Sequence, residues 1–118
     1  MFGLPADIDL TFLVGRTLLQ VCFGLNDLVL NFDDRVSIQV SSCVGTRSKT
    51  GERRRDSDFR DAAPGLLSLV NEVVTRADGS SDGTLTLEFG GCGALTLYDD
   101  SKQFESYVIK AGERTIVV

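Results

Sequence analysis

The chain has 118 residues, of which 42% are hydrophobic and 25% charged, and these values are typical of a single globular domain covering residues 1–118. Its 17 acidic and 12 basic residues give a net charge of -5, which disfavours a nucleic-acid partner and favours a basic protein or a cationic ligand. No apolar run approaches the ~18 residues of a membrane-spanning helix, and the first ten residues show no signal-peptide pattern, so we expect a cytoplasmic protein without a membrane partner.

The N-terminal third of the chain predicts a helical turn followed by a three-stranded meander. Asp9 can cap one helical turn over residues 10–13, which Gly15 would end. Apolar and polar residues then alternate with a period of two, which is typical of strands with one buried face. The predicted strands and the turns between them are Thr17–Phe23, Gly24–Asp27, Leu28–Phe32, Asp33–Arg35 and Val36–Val40.

The middle of the chain predicts a loop and a single helix. Residues 44–60 are polar and rich in Arg, Lys, Ser and Gly, which predicts a mobile loop. Within it, Arg53–Arg55 can contact an anion or a nucleic acid, but the acidic residues around them favour a solvated surface. Pro64 suits a first helical turn, and the apolar spacing predicts a helix over Pro64–Glu72 followed by a strand over Val73–Arg76.

The C-terminal third contains the most regular strand patterns. They cover Gly83–Phe89, Ala94–Tyr98, Glu105–Lys110 and Arg114–Val118. Asp78–Gly83 matches the first half of a calcium loop but lacks its closing carboxylate, so we interpret it as a hairpin turn. Gly90–Gly93 is likewise interpreted as a hairpin turn, since a phosphate-binding loop normally opens a helix.

These segments together predict an α+β fold. Its main part is an antiparallel sheet of about seven or eight strands, strongly curved or split into two layers, with one short helix packed against it.

The residue types exclude several chemistries. Histidine is absent, which removes Ser-His-Asp and Cys-His catalysis and every histidine metal site. Cys22, Cys43 and Cys92 are widely spaced, which indicates free thiols, of which Cys92 lies in a glycine turn. We therefore expect no metal and no cofactor, and a binding protein more readily than an enzyme.

Two groups of polar residues are candidate sites. An acidic surface for a basic partner can form from five turn residues, Asp33, Asp34, Asp99, Asp100 and Glu105. Glu105 and Tyr107 also share one face of a strand and can line a ligand or acid–base site with Arg16. The structural alternative is an edge strand whose tyrosine hydroxyl is hydrogen-bonded to a carboxylate, and for Asp99 and Asp100 a turn bonded to its own backbone.

The two ends of the chain bring a resemblance. Leu95–Val118 resembles the C-terminal pattern of a family of small uncharacterised bacterial domains, in which a strand is followed by an acidic turn, the run FESY and a final Ile/Val strand. Phe12–Gly24 is similar to the start of such domains. The resemblance implies no catalytic residues, and it adds an analogy with toxin-neutralising, immunity-like proteins.

Three functional hypotheses follow. The first is a non-enzymatic protein-interaction module that self-associates as a homodimer through a sheet face or a sheet edge such as Arg114–Val118. The second is an immunity-like protein that neutralises a basic toxin through the acidic turns. The third is a small-ligand binder or hydrolase that uses Glu105 and Tyr107.

Overall fold

A computed structural model describes residues 3–4, 8–100 and 105–118 of the chain. In these residues ten strands form two antiparallel five-stranded sheets, and one α-helix accompanies them. The strands are β1 (Leu18–Phe23), β2 (Leu28–Phe32), β3 (Val36–Val40), β4 (Val44–Ser48), β5 (Arg53–Asp56), β6 (Arg76–Gly79), β7 (Leu85–Glu88), β8 (Gly93–Leu97), β9 (Tyr107–Ala111) and β10 (Arg114–Val117). The predicted α+β class is confirmed, with more strands than the sequence indicated.

The first sheet has the strand order β1-β2-β3-β9-β10. Its first three strands form the predicted meander, and in β2 and β3 every second residue is an apolar side chain buried in the core. Asp34 and Arg35 both have positive φ angles (56° and 59°), which a two-residue turn between twisted antiparallel strands requires. Strand β10 lies at one edge of this sheet, as predicted for the last segment.

The second sheet has the strand order β5-β4-β8-β7-β6, and it corrects the prediction for residues 44–60. That segment is not a continuous loop, because β4 and β5 pair as a hairpin from Val44 opposite Asp56 to Arg47 opposite Arg53. Its polarity misled the prediction for a physical reason. Strand β5 is an edge strand with mostly exposed side chains, so it needs no alternating apolar residues.

The α-helix α1 covers Phe59–Leu67 and not the predicted Pro64–Glu72. It begins earlier because Asp58 caps it, its Oδ1 atom accepting a 2.9 Å hydrogen bond from the backbone N–H of Arg60. Pro64 therefore lies inside the helix. In the predicted strand over Val73–Arg76, Val73 forms only an isolated bridge with Thr17, and Arg76 is the first residue of β6. Within the described residues, no helix is long and apolar enough to span a membrane.

The two sheets share one hydrophobic core. Leu30 and Ile38 of the first sheet and Leu87 and Leu97 of the second are fully buried in it, as the alternation predicted. Burying each such side chain contributes about 1.5–3 kcal/mol to folding. One end of the core is closed by a 3₁₀ turn over Thr11–Leu13. Its N-cap residue is Leu10 and not the predicted Asp9, but Asp9 Oδ1 accepts a 2.9 Å bond from the Thr11 N–H.

Candidate functional site

The structure places the five residues of the predicted acidic surface in two groups, near opposite ends of β3. Asp33 and Asp34 lie in the turn before β3, where Arg16 Nη1 approaches Asp34 at 3.0 Å and Asp33 at 3.8 Å. Asp99, Asp100 and Glu105 lie near the other end of β3, because Val40 pairs with Tyr107 at the start of β9. Strand β3 separates the two groups by about 13 Å of extended chain.

The predicted site of Glu105, Tyr107 and Arg16 is also not assembled. Tyr107 is fully buried, and its hydroxyl donates a 2.6 Å hydrogen bond to the carbonyl oxygen of Gly83. Burial raises the pKa of this hydroxyl well above its usual value, so it is held protonated. Glu105 precedes β9 and is exposed, while Arg16 lies at the other end of the sheet beside Asp34. Tyr107 is the first residue of β9 and points into the core, so it does not share an exposed face with Glu105.

Asp99 and Asp100 make structural hydrogen bonds between distant segments. Asp99 accepts a 2.7 Å bond from the hydroxyl of Ser106. Asp100 accepts a 2.8 Å bond from the Cys43 thiol and a 3.1 Å bond from Arg55. These bonds hold the segment after β8 against the start of β4, which accounts for both carboxylates without a ligand.

The cysteine thiols are held in their protonated form at two positions. Burial and the hydrogen bond to Asp100 raise the pKa of Cys43. Cys92 donates a 3.0 Å hydrogen bond to Glu72, and that bond raises its pKa. A raised pKa lowers the thiolate fraction, so this arrangement disfavours nucleophilic chemistry at either cysteine. No cluster of three or more Cys, Asp or Glu residues in the described ranges is placed to hold a metal ion.

A different feature, the outer edge of β1, has the properties of a binding surface. In the β1–β2 turn the Gly24 N–H donates a 2.8 Å bond to the carbonyl oxygen of Asp27, so these two residues form a hydrogen-bonded pair. Along the two strands from there, non-hydrogen-bonded and hydrogen-bonded pairs alternate. This alternation directs the backbone N–H and C=O groups of Val21 and Phe23 away from β2. The described residues supply these groups with no backbone partner. The earlier part of the edge is occupied, because Leu18 exchanges bonds with Glu72 and Asn71.

Several large apolar side chains are exposed, three of them on β1 and in the β1–β2 turn. Leu25, in the β1–β2 turn, is 95% exposed, and Leu19 and Leu67 are each 55% exposed. Phe23 at the end of β1 is also exposed, as are Val14 after the 3₁₀ turn and Val73 before β6. A groove of about 510 Å³ lies beside Phe23 and Leu25, between the β1–β2 turn and the start of α1. Apolar side chains clustered in this way, next to unpaired backbone groups, are typical of a protein-binding surface.

Strand β1 differs from the other edge strands in charge. Its sequence, LLQVCF, contains no charged residue. The other three edge strands of the described sheets are β5 (RRRD), β6 (RADG) and β10 (RTIV), and each carries at least one arginine. Charged side chains on an edge oppose pairing with another strand, so β1 is the edge least protected against it.

Sequence reasoning missed this surface, although two signals were present. Leu25 is a large apolar residue in a turn that is otherwise polar, GLND. Leu18 and Leu19 are consecutive apolar residues, and the structure places a register shift between Leu18 and Gln20 that leaves Leu19 exposed.

Comparison with known proteins identifies a family. A model described as a family of unknown function, DUF6188, matches residues 10–118. No curated protein and no solved structure matches the chain.

Proposed function

The chain belongs to DUF6188, a family of unknown function, and we propose that it is a non-enzymatic protein-interaction module that pairs with a second copy of itself. The observation that carries the proposal is the open, uncharged edge of β1 with its exposed apolar border. The hydroxyl of Tyr107 is buried and the pKa values of the Cys43 and Cys92 thiols are raised, which disfavours catalysis by these three groups.

The backbone pattern of β1 is self-complementary. When two copies pair antiparallel about a two-fold axis at Cys22, Val21 of each copy faces Phe23 of the other. Both residues direct their N–H and C=O groups outwards, so each pair exchanges both of its hydrogen bonds. Pairs of identical chains commonly use such an isologous contact.

The side chains around the edge supply the main driving force. A backbone hydrogen bond contributes only about 0.5–1.5 kcal/mol net, which does not offset the entropy lost on association. Burial of Leu19, Phe23 and Leu25 at the contact adds the apolar term. The chain carries a net charge of -5, so a second copy meets least electrostatic repulsion at a strand without charges.

Light scattering after gel filtration tests the proposal over a wide concentration range. We expect the wild-type mass to rise towards twice the chain mass of 12.8 kDa as the concentration increases. Val21→Pro removes an outward N–H without breaking a bond to β2, so it should keep the protein monomeric.

Thr115→Pro is the matched control. Tyr107 and Val118 form a hydrogen-bonded pair, with N–H···O distances of 3.0 and 3.4 Å. Since hydrogen-bonded and non-hydrogen-bonded pairs alternate along β9 and β10, the Thr115 N–H points to the open side of β10. This variant should associate like wild type. A wild-type monomer at all concentrations, or association that is lost in Thr115→Pro and kept in Val21→Pro, would overturn the proposal.

A further inference from the structure

The outer face of the second sheet carries a row of residues of which four are charged. Residues paired across neighbouring antiparallel strands lie on the same face, about 4.8 Å from strand to strand. The register therefore places five residues in one row across the sheet, in the order Arg53, Arg47, Ala94, Glu88 and Arg76. An acidic chain thus gathers three of its arginines around one glutamate.

Two of these arginines lie directly opposite each other. Arg47 and Arg53 are cross-strand partners on β4 and β5, and like charges in this position destabilise a sheet. Glu88 compensates Arg47 through a 2.6 Å contact with Nη2. The side chain of Arg53 is exposed and makes no hydrogen bond or ion pair with the described residues. The pair therefore has one carboxylate for two guanidinium groups.

The arginines border a concavity of about 220 Å³ with a floor of small residues. Gly45, Ala94 and Thr96 line it together with Tyr98, and the carboxylate of Glu88, which is already bound to Arg47, also lies in the lining. Tyr98 is held across β4 by Arg55, whose guanidinium carbon lies 3.8 Å from the ring centroid. Gly45 makes this possible, because a Cβ atom there would lie 2.7 Å from the Tyr98 hydroxyl.

We propose that this concavity is a binding site for a small oxyanion, a phosphate or carboxylate group held between Arg47 and Arg53. Guanidinium groups present paired donors that fit both kinds of oxyanion, and an anion here relieves the repulsion between the two arginines. Protection of the sheet edge accounts for charges on β5, since edge strands commonly carry them. It does not account for Arg47 on an interior strand or for the small-residue floor.

Titration of the ¹⁵N-labelled protein, with inorganic phosphate and separately with citrate, tests the site at constant ionic strength. We expect saturable shifts confined to the amides of residues 45–47, 53–55 and 94–98. The probe that saturates at the lower concentration identifies the phosphate or the carboxylate source. Arg53→Gln removes a side chain without an ion-pair partner, so it should fold normally and weaken binding by about tenfold.

Arg60→Gln is the matched control, because Arg60 is an exposed arginine on α1. It should bind as wild type does. The proposal is overturned if neither probe gives saturable shifts, or if Arg53→Gln and wild type bind equally. The site and the β1 edge lie on different sheets, so either result leaves the self-association test unaffected.

Discussion

The hydroxyl of Tyr107, on β9 of the first sheet, donates a 2.6 Å hydrogen bond to the carbonyl oxygen of Gly83, which leads into β7 of the second sheet. The bond crosses the core between the two sheets, and Tyr107 is fully buried. It fixes the relative position of two strands that belong to different layers.

Tyr107→Phe should therefore destabilise the fold with little change of shape. The substitution leaves the buried carbonyl group of Gly83 without its donor, which costs about 1–3 kcal/mol. Urea unfolding followed by circular dichroism measures the change in the free energy of unfolding. Tyr98→Phe is the control at the other tyrosine, which is only partly buried. An unchanged midpoint in Tyr107→Phe would contradict the role of the bond.

The same residue should set an alkaline limit to stability. Burial raises the pKa of Tyr107 in the folded state, whereas a tyrosine in the unfolded chain has a pKa of about 10. A folded pKa above the unfolded one means that its contribution is complete below about pH 10 and is lost as the pH rises further. The free energy of unfolding between about pH 9 and pH 11 should fall more steeply in wild type than in Tyr107→Phe. Parallel curves would show that Tyr107 ionises without unfolding.

Gly45→Ala should disturb the stacking of Tyr98 on Arg55. The new methyl group would lie 2.7 Å from the Tyr98 hydroxyl and 3.2 Å from its Cε2 atom, so the ring must move. We expect a changed near-ultraviolet circular dichroism spectrum and weaker phosphate binding. Gly91→Ala is the control, because nothing lies within 4 Å of a Cβ atom at that position. Equal spectra for the two variants would contradict the proposed constraint.

Glu88→Gln should reduce the acid sensitivity of the fold. The hydrogen bond from Arg47 lowers the pKa of Glu88 in the folded state, so its contribution is complete above the unfolded pKa of about 4.3. That contribution is lost as the pH falls through the folded pKa. Unfolding in urea between about pH 5 and pH 3 should therefore change less in Glu88→Gln than in wild type. Arg47→Gln should flatten the profile in the same way, and a wild-type slope in both would refute the coupling.

Oxidative cross-linking should report the register of the β1 pair. In the antiparallel arrangement, Cys22 faces Cys22 of the second copy as a non-hydrogen-bonded pair, with Cα atoms about 4.5 Å apart. This separation lies within the range found in disulfides. Oxidised glutathione should give a dimer on a non-reducing gel, and Cys22→Ser should abolish it while Cys92→Ser does not. Cross-linking that persists in Cys22→Ser would contradict the register.

The periodicity of the sequence was sufficient for most strands but not for the β4–β5 hairpin. In β2, β3 and β7 every second residue is buried, so the period-two signal is strong. In β5 most side chains are exposed, so the hydrophobic effect places no constraint on which residue types alternate. Helix α1 begins before its predicted start because the Asp58 cap, and not Pro64, determines its first turn.

The candidate surfaces could not be predicted, because they depend on pairings between distant residues. The acidic turns were separated by the register of β3 with β9, which no local pattern specifies. Arg47 and Arg53 became partners only when the hairpin formed. The open part of β1 depends on where the segment at Asn71 and Glu72 stops pairing with it.

The contrast between the neutral β1 and the arginine-bearing β5, β6 and β10 has a consequence for how large an assembly can grow. In the proposed dimer both chains use β1 for the contact, so neither chain has a free β1 edge to which a third chain could bind. The other edge strands of the described sheets, β5, β6 and β10, carry arginines that oppose pairing of the dimer with a further strand, so we expect no growth into fibrils. Exchanging the arginines of β5 for threonine would open a route to fibrils, and seeded growth that binds thioflavin would reveal it.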